Sequence, residues 1–280
     1  MQAVRRVKLG KILFGDPRAF ILIGGPCVIE NEASIFRHAE KISKVAQNFK
    51  IPYVFKSSYD KANRSSIQSF RGPGLKKGLA ILAKVKKEFG LPVLSDVHCK
   101  EEIKSAQEVL DIIQIPAFLS RQTDLIVAAG KSGRIVNVKK GQFLSPWEIK
   151  NAIQKVEATG NKNILVTERG VSFGYQNLVN DFRAIPIIRG LGYPLVFDAT
   201  HSVQLPGGEG SFTGGRPEFI PTLARCAIAA GADALFLEIH EDPAKALSDG
   251  TNMLTLNRLD RLLEVLVQIR RAAPVMNGEL

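Results

Sequence analysis

The sequence has little cysteine, few aromatic residues and no long apolar run. Its 280 residues include three cysteines, one tryptophan and four tyrosines. Because three is an odd number, we expect no disulfide framework, and a reducing cytosol is the expected compartment. No apolar run is long enough to span a bilayer, and the first nine residues, MQAVRRVKL, lack the apolar core of a signal peptide. We therefore expect a cytoplasmic protein without a membrane partner.

The chain also lacks the signatures of nucleic-acid binding, although it is strongly basic. It has 38 Lys and Arg against 27 Asp and Glu, which gives a net charge of +11. These basic residues are spread over the chain, and no helix-turn-helix, zinc-finger or RNA-binding motif is present. We expect no nucleic-acid partner, and the charge instead indicates a site for anionic metabolites.

No linker or low-complexity segment divides the chain, but a loose repeat of strand, polar loop and amphipathic helix runs through it. The predicted strands are residues 19–24, 52–56, 92–95, 111–115, 134–139, 163–167, 194–198 and 234–238. The predicted helices include residues 32–49, 75–89, 100–109, 146–158, 218–230 and 256–270.

Eight strands, each followed by a helix or a helical space, predict an α/β fold of the (β/α)8 TIM-barrel class. The alternative is a doubly wound sheet, which usually carries a G-x-G-x-x-G motif after its first strand, and this chain has none there. A composition with 45% hydrophobic residues allows one large domain or two small ones. We predict a single barrel domain over 1–280. Residues 1–15 would form an N-terminal β-hairpin that turns at Gly10 and covers the N-terminal end of the barrel.

The segment after the second predicted strand, residues 56–72 (KSSYDKANRSSIQSFRG), is rich in cations and small hydrogen-bond donors. The segment contains four cations and one acid, which gives it a net charge of 4 − 1 = +3: Lys56, Lys61, Arg64 and Arg71 against Asp60. Cations attract a phosphorylated or carboxylated ligand, and short donors orient it. A solvated basic loop is the alternative interpretation.

Polar side chains stand near most of the predicted strand ends, where the loops of a barrel converge on one mouth. These residues are Cys27, Lys56, Asp96, His98, Gln114, Lys139, Lys140, Glu168, Arg169, Asp198, His201, Glu238 and His240. Together with Lys61 and Arg64, the cations Lys56, Lys139 and Arg169 are enough to hold two separate anionic groups.

Four residues from distant parts of the chain have the side chains of a metal site. Cys27, His201, Glu238 and Asp249 supply a thiolate, an imidazole and two carboxylates, a mixture that suits a divalent transition metal, especially Zn²⁺ or Fe²⁺, with Mn²⁺ also possible. Their spacing contains no local motif. In the alternative interpretation these residues have structural roles: Cys27 would be a packed side chain, Glu238 would pair with an arginine, and Asp249 would cap a turn with Gly250.

The remaining features have structural interpretations. Cys99 and Cys226 are expected to pack, Cys226 within an apolar helix pattern, and His38 is expected at the surface of helix 32–49. The alternative interpretation of Asp198 is a buried hydrogen-bond acceptor. The glycine-rich stretch 205–216 (LPGGEGSFTGGR) is interpreted as a gating loop in preference to a phosphate cradle.

Several long motifs resemble those of the 3-deoxy-D-manno-octulosonate 8-phosphate synthases. They are residues 25–30 (GPCVIE), 56–66 (KSSYDKANRSS), 114–119 (QIPAFL), 137–143 (NVKKGQF), 167–170 (TERG) and 198–208 (DATHSVQLPGG). The likeness runs from about Ile23 to Asp249. It implies a (β/α)8 barrel, commonly a homotetramer. It also implies condensation of phosphoenolpyruvate with arabinose 5-phosphate, with release of phosphate, on the way to the inner-core sugar of lipopolysaccharide.

The same resemblance implies roles for individual residues. The phosphate of phosphoenolpyruvate would be held by Lys139, Arg169 and the backbone of Ala117. Its carboxylate would be held by Lys61 and Ser58, with Lys56 and Gln114 close by. The residues for arabinose 5-phosphate are Asn63, Arg64 and Ser65, where the sibling 3-deoxy-D-arabino-heptulosonate 7-phosphate synthases usually carry a Lys-Pro-Arg-Thr-type motif. Arg121 is implied to reach the sugar phosphate of a neighbouring subunit.

The resembled family has a metal-requiring branch and a metal-independent branch, which carries asparagine at the position of Cys27. Cysteine here implies the metal branch, with Cys27, His201, Glu238 and Asp249 as ligands. The sequence departs from that branch at Ser248-Asp249-Gly250, where glycine follows the aspartate. The metal-requiring branch tends to have alanine or serine at that place, and the metal-independent branch often reads Cys-Asp-Gly.

The chemistry would require C3 of phosphoenolpyruvate to be held against the sugar aldehyde, followed by attack of water at an oxocarbenium-like C2. A metal would polarise the aldehyde or acidify that water. The candidate catalytic residues are Lys61, Asp96, His98, His201 and Asp249. Among them Asp96, His98 and Asp249 are the possible proton carriers, and the residues do not decide between them. The rival hypotheses are the heptulosonate synthase, which uses erythrose 4-phosphate, and a non-catalytic barrel that binds anionic sugars.

Overall fold

The computed structural model describes residues 3–64, 66–209 and 212–273. Its strands are β1 (Val7–Leu9), β2 (Ile12–Phe14), β3 (Ile21–Gly25), β4 (Tyr53–Lys56), β5 (Val93–Asp96), β6 (Ile112–Ile115), β7 (Ile135–Lys139), β8 (Ile164–Glu168), β9 (Val171–Ser172), β10 (Leu178–Val179), β11 (Leu195–Asp198), β12 (Gln204–Glu209), β13 (Phe212–Gly215), β14 (Ala234–His240) and β15 (Leu254–Thr255). Its helices are α1 (Glu32–Asn48), α2 (Leu75–Phe89), α3 (Ile103–Val109), α4 (Thr123–Lys131), α5 (Lys150–Glu157), α6 (Ala184–Arg189), α7 (Ile220–Ala229) and α8 (Leu259–Ala272).

Eight parallel strands close into a barrel, in the order β3, β4, β5, β6, β7, β8, β11 and β14. Closure comes from parallel pairing of β14 with both β11 and β3. A helix follows each of these strands along the chain. This arrangement confirms the (β/α)8 prediction and excludes the doubly wound sheet, whose two edge strands do not pair.

The N-terminal hairpin of β1 and β2 closes one end of the barrel. The two strands pair antiparallel, with Val7 opposite Phe14. Both side chains are fully buried in a cluster with Ile21, Val54 and Phe236, which belong to barrel strands. The hairpin therefore covers the N-terminal end of the barrel interior, as predicted.

Helix ends follow recognisable local signals. The Asn31 side chain accepts a hydrogen bond from the Ser34 backbone at 2.8 Å and caps the start of α1. Gly90 ends α2 with φ of +64°, in the left-handed conformation that glycine adopts without a steric penalty. No described helix combines the length and the apolar character needed to cross a membrane.

The predicted strands all overlap observed strands, and the six predicted helices all overlap observed helices. Several helix starts are later than predicted, because the first turn is a 3₁₀ turn at Lys100–Glu102, Pro217–Phe219 and Leu256–Arg258. The two remaining helical spaces hold α4 and α6, which have only nine and six residues.

Three interpretations of single residues are wrong. His38 is fully buried instead of exposed, because its Nε2 accepts a hydrogen bond from the Glu241 backbone at 3.1 Å and its ring lies 4.8 Å from that of His240. Cys99 and Cys226 are exposed instead of packed. Cys226 lies on α7, whose buried residues are Ile220, Ala224, Ala227 and Ile228, so the thiol is on another face of the helix.

Candidate active site

A cavity of about 370 Å³ lies at the C-terminal ends of the barrel strands. Twelve of the residues singled out from the sequence line it: Lys56, Lys61, Asn63, Arg64, Asp96, His98, Gln114, Ala117, Lys139, Arg169, His201 and Asp249. Cys27, Ser58 and Glu238 contact residues of that lining. Ser65 lies outside the described residues. The structure therefore brings residues that are up to about two hundred positions apart in the sequence to one barrel mouth.

A close approach between β3 and β4 carries Cys27 into this mouth. Gly25 has φ of +152°, and a Cβ atom added to it would lie 2.1 Å from the Lys56 carbonyl oxygen. Only glycine fits there, because any side chain would displace the end of β4. The backbone that follows places Cys27 so that its carbonyl accepts a hydrogen bond from Lys56 Nζ at 3.0 Å.

Hydrogen bonds between neighbouring strands fix Asp96 and Gln114. Asp96 accepts from Ser58 Oγ at 2.7 Å and from the Gln114 side-chain amide. The amide of Asn137 donates to Gln114 at 2.8 Å, and the Thr167 hydroxyl donates to Asn137 at 2.8 Å. This series of hydrogen bonds crosses β5, β6, β7 and β8, and each of the four side chains faces the barrel interior beside its partner. Neither Asn137 nor Thr167 was singled out from the sequence, although each is a polar residue inside an apolar strand.

Nearby cations keep Asp96 ionised. Burial acts to raise the pKa of Asp96, but Lys61, Lys56 and Lys139 outweigh burial and hold that pKa below its usual range. Lys61 Nζ lies 4.0 Å from Asp96 and 3.4 Å from Glu238, so one ammonium group serves two carboxylates.

Arg169 and Lys139 are two of the cations that line the cavity. Arg169 donates to the Gln204 side chain at 2.7 Å and to the His201 carbonyl at 3.1 Å, while its buried Nε has no hydrogen-bond partner among the described residues. Lys139 Nζ lies 2.6 Å from Asp198. An unpaired buried donor is costly, so the Arg169 Nε is a position where an anionic ligand gains a charge-assisted hydrogen bond. Gln204 was not singled out as a site residue, although it lies in one of the quoted motifs.

Cys27, Glu238 and Asp249 form a compact group that has the donors of a metal site. One ligand atom from each lies within 4.8 Å of the others. Glu238 Oε2 is buried and accepts no hydrogen bond from a described residue. Burial raises the pKa of the Cys27 thiol, and the Glu238 carboxylate raises it further, so the thiolate requires an added cation. A buried thiol, an unpartnered carboxylate oxygen and a second carboxylate fit a divalent transition metal.

His201 lies next to this group and is oriented by a carboxylate. Its Nδ1 lies 2.7 Å from Asp198 Oδ2, and its backbone N–H donates to Asp198 Oδ1 at 2.9 Å. The other ring nitrogen, Nε2, is 3.7 Å from Glu238 Oε1. Burial acts to raise the pKa of Asp198, but His201 and Lys139 hold it below its usual range. A carboxylate bonds one ring nitrogen, and Nε2 has no hydrogen-bond partner among the described residues, which is the arrangement that metal-binding histidines usually have.

Protein cations neutralise the two carboxylates of the group in this structure. Lys56 Nζ is 2.7 Å from Glu238 Oε1, and Arg64 donates to both oxygens of Asp249, at 3.0 and 3.3 Å. Glu238 therefore pairs with lysine and not with an arginine. Asp249 does not cap the turn that follows it with its side chain, and it has φ of +50°, a conformation that non-glycine residues rarely adopt. Ser248, which had no predicted role, contacts Cys27 Sγ at 3.3 Å and Arg64 at 2.9 Å.

Two predicted features lie at the edge of the cavity or outside it. Arg121 is exposed and borders a separate small cavity of about 120 Å³ with Ser120 and Lys155. The described part of the glycine-rich stretch forms the antiparallel pair β12–β13, and Pro206 and Gly207 from it line the main cavity. Its assignment as a gating loop stays a prediction.

Comparison with known proteins gives a consistent result. A family profile described as the DAHP synthetase I family matches residues 2–273. A protein of Geotalea daltonii named 2-dehydro-3-deoxyphosphooctonate aldolase is 57% identical over 266 residues, which cover 95% of this chain and 98% of that protein. Proteins of the same name from Trichlorobacter lovleyi and Geobacter sulfurreducens are 56% and 55% identical, over 93% and 95% of this chain and 96% and 97% of their own.

Proposed function

The chain belongs to the DAHP synthetase I family, and from that premise we propose that it condenses phosphoenolpyruvate with D-arabinose 5-phosphate and water. The products are 3-deoxy-D-manno-octulosonate 8-phosphate and phosphate, and the pathway is that of the lipopolysaccharide inner-core sugar. Relatives with more than half of their residues identical are named for this enzyme, 2-dehydro-3-deoxyphosphooctonate aldolase being a synonym of the octulosonate synthase. Their name disfavours the heptulosonate synthase.

The single structural observation that carries the proposal is one cavity whose lining includes five cations: Lys56, Lys61, Arg64, Lys139 and Arg169. We assign the phosphate of phosphoenolpyruvate to Lys139, Arg169 and the Ala117 backbone, a choice supported by the unpartnered Nε of Arg169. We assign the carboxylate to Lys61 and Ser58, with Lys56 and Gln114 beside them. Lys61 lines the cavity, and Ser58 donates a hydrogen bond to Asp96, which also lines it.

The sugar phosphate would bind on the loop after β4. We assign it to Asn63, Arg64 and Ser65, of which Asn63 and Arg64 line the cavity. Since Arg64 also contacts Asp249, it lies at the boundary between the sugar and the metal group. Two separate cation sets suit two phosphorylated substrates, because each anion then has its own charge-assisted hydrogen bonds.

A divalent metal, Zn²⁺, Fe²⁺ or Mn²⁺, would be held by Cys27, His201, Glu238 and Asp249. When bound, such an ion supplies polarisation of the aldehyde oxygen or acidification of a water molecule. Asp198 orients His201 for this role through Nδ1, and Lys56 and Lys61 compensate the charge of Glu238.

The remaining chemistry is positioning and proton transfer by side chains. The cation sets hold C3 of phosphoenolpyruvate against the aldehyde carbon, which converts a bimolecular encounter into a reaction within one complex. A bond forms between C3 and the aldehyde carbon, positive charge develops at C2, and water adds to C2 before the bond to phosphate breaks. Asp96, whose charge is maintained by Lys61 and Lys56, lies in the cavity wall and stabilises that positive charge.

The deciding experiment measures phosphate release with purified protein. We expect release from phosphoenolpyruvate only when arabinose 5-phosphate is present, and much less with erythrose 4-phosphate. Equal or greater release with erythrose 4-phosphate contradicts the choice of sugar, and no release with either contradicts the enzyme assignment.

A variant of the sugar loop tests the assignment of Arg64. Arg64→Ala should raise the KM for arabinose 5-phosphate far more than the KM for phosphoenolpyruvate, because only one anion loses its partner. Arg71→Ala is the matched control, since Arg71 lies on the same loop but pairs with Asp60 at the surface. Equal changes in both KM values would be incompatible with the assigned role.

The metal assignment is tested by Cys27→Asn and by chelation of the parent protein. We expect the variant to lose bound metal and activity, with incomplete recovery on addition of Mn²⁺ or Zn²⁺, because a ligand that carries charge is gone. Full activity in the variant, together with a parent that is insensitive to chelator, would rule out the requirement for a metal.

We further propose that the protein is a cytoplasmic homotetramer. Large apolar side chains are exposed on the loops after β6, β7 and β8, namely Phe118, Phe143, Trp147, Phe173 and Tyr175, and such a concentration is typical of an interface. A thiol ligand also suits a reducing compartment. Light scattering of the purified protein and fractionation of the source cells test the two statements, and a monomer or a secreted protein would contradict them.

A further inference from the structure

His98 is the one of the three candidate proton carriers that keeps a free nitrogen. Both oxygens of Asp96 accept hydrogen bonds, from Ser58 and Gln114. Both oxygens of Asp249 accept from Arg64. His98 lines the cavity, and of its two ring nitrogens only Nδ1 has a hydrogen-bond partner among the described residues.

That partner is Glu102, which had no predicted role. Glu102 Oε2 lies 3.2 Å from His98 Nδ1 and accepts the His98 backbone N–H at 2.7 Å. The same oxygen accepts the Tyr59 hydroxyl at 2.7 Å. An ionised carboxylate only accepts hydrogen bonds, so the contact places the proton of a neutral His98 ring on Nδ1.

Tyr59, which shares the Glu102 oxygen with His98, is packed tightly on several sides. Its side chain is fully buried, and its ring meets the His98 ring edge-on, with centres 5.6 Å apart. A Cβ atom at Gly78 on α2 would lie 2.3 Å from the Tyr59 Cβ, so α2 packs directly against the base of the tyrosine. Tyr59 and Glu102 come from the loops after β4 and β5, which means that two loops converge on one histidine.

Resting on the proposed function, we propose that Glu102 is a positioning residue, itself held by Tyr59, that keeps the proton of neutral His98 on Nδ1. The other ring nitrogen, Nε2, is then able to accept a proton from the water that adds to C2 of phosphoenolpyruvate. As the water oxygen bonds to C2, one O–H bond breaks and its proton passes to Nε2. That proton then goes to the alkoxide formed from the aldehyde oxygen. The second proton of the water leaves with the phosphate when the C2–O bond breaks.

The charges around His98 support this role. Burial acts to lower the pKa of His98, but the hydrogen bond to Glu102 and the charges of Asp96, Glu102 and Asp60 raise it. Of these groups Glu102 bonds the ring directly, and Tyr59 meets it edge-on. A raised pKa strengthens His98 as a proton acceptor.

The test compares Glu102→Leu, Glu102→Gln and Tyr59→Phe with the parent, using the full chain labelled with ¹⁵N-histidine. The chain has four histidines, and the His98 signals are assigned by their loss in His98→Asn. In the parent we expect the neutral ring to carry its proton on Nδ1. In Glu102→Leu we expect a shift toward the form with the proton on Nε2, which free histidine prefers.

Kinetics provide the second readout. Glu102→Leu should lower kcat about 100-fold, with the KM values for both substrates changed less than about threefold. Glu102→Gln keeps an acceptor but loses the charge, so the acidic limb of kcat/KM should move down by about one pH unit. Tyr59→Phe should have a smaller effect of the same kind, and Glu102→Asp should restore part of the activity. Glu101→Leu, at the exposed neighbouring position, is the matched control and should match the parent.

Two results would overturn the proposal. One is a neutral His98 in the parent with its proton on Nε2. The other is a loss of activity in Glu102→Leu without any change in the ring form or in the pH profile, which would mark Glu102 as merely structural. Because the ring form is measured without substrate, it stays informative if the parent fails to release phosphate, an outcome that would contradict the proposed function instead.

Discussion

The two halves of the barrel interior have opposite compositions although they belong to the same eight strands. The half near the N-terminal ends is filled by apolar side chains, among them Ile23, Leu94 and Leu165, and the hairpin adds Val7 and Phe14. The half near the C-terminal ends holds charged and amide side chains that are also buried: Lys56, Asp96, Gln114, Asn137, Lys139, Asp198 and Glu238.

This difference separates stability from chemistry along the barrel axis. Burial of apolar side chains stabilises the fold in proportion to the area removed from water. Buried charges lose their hydration, and pairing compensates for the loss without a reliable net gain. The charged half therefore depends on the apolar half for its stability, and substitutions in the two halves should produce different phenotypes.

The largest effect is expected in the charged half, from Lys56→Met. Lys56 is 1% exposed and pairs with the fully buried Glu238 at 2.7 Å, so the variant leaves a buried carboxylate with weaker partners. We expect the free energy of unfolding to fall by about 3–5 kcal/mol, and kcat/KM of the folded protein to fall at least 100-fold. Urea unfolding and steady-state kinetics measure the two changes. A stable, fully active variant would contradict the division.

In the apolar half we expect Phe14→Ala to affect stability alone. Phe14 is fully buried at the closed end of the barrel, and loss of such a ring costs about 3–5 kcal/mol, partly through the cavity left behind. Because the ring is remote from the mouth, kcat at a temperature where the variant is folded should equal that of the parent. A large drop in kcat with normal folding would show that the two halves are coupled.

The apolar half and the barrel itself were predictable from the sequence, because short β-branched strands alternate with helical patterns. The predicted strands differ from the observed ones by about two residues or fewer at each end. The short helices α4 and α6 were not delimited, since six or nine residues are too few to establish a helical period.

The charged half was predictable as a set of residues but not as a network. The chain from Asp96 through Gln114 and Asn137 to Thr167 depends on strand register, which the sequence does not reveal. His38 was misplaced because the backbone group that its Nε2 contacts is 203 positions away. The partners of His98 could be found only once two loops were known to meet.

Acid should weaken the charged half selectively. Burial opposes ionisation of both Asp198 and Glu238. The pKa of Asp198 is nevertheless held below its usual range by His201 and Lys139. The pKa of Glu238 is held below its usual range by Lys56 and Lys61. A group whose folded-state pKa is depressed contributes stability above its unfolded pKa of about 4. That contribution is lost as the pH falls from there toward the folded-state pKa.

Each such group gives a slope of up to about 1.4 kcal/mol per pH unit in this range. We expect Asp198→Asn to reduce the slope of unfolding free energy against pH below about pH 4.5, because one group that takes up a proton on unfolding is removed. Phe14→Ala is the control and should shift the whole curve downward without changing its slope. The same slope in all three proteins would mean that the buried carboxylates are not the source of the acid sensitivity.

The smallest effect is expected from Lys84→Ala, which tests whether burial or pairing distinguishes the charged half. Lys84 and Glu32 are 2.7 Å apart, the same distance as Lys56 and Glu238, but their side chains are 58% and 46% exposed. Solvent screens an exposed pair, and holding two long side chains together costs entropy, so we expect the unfolding free energy to change by about 0–1 kcal/mol and kcat not at all. Because the two pairs share residue types and distance, the difference between the Lys56→Met and Lys84→Ala effects shows how much the buried surroundings of Lys56 add, including its bond to the Cys27 carbonyl. Comparable losses in the two variants would mean that the barrel mouth has no special dependence on its charges.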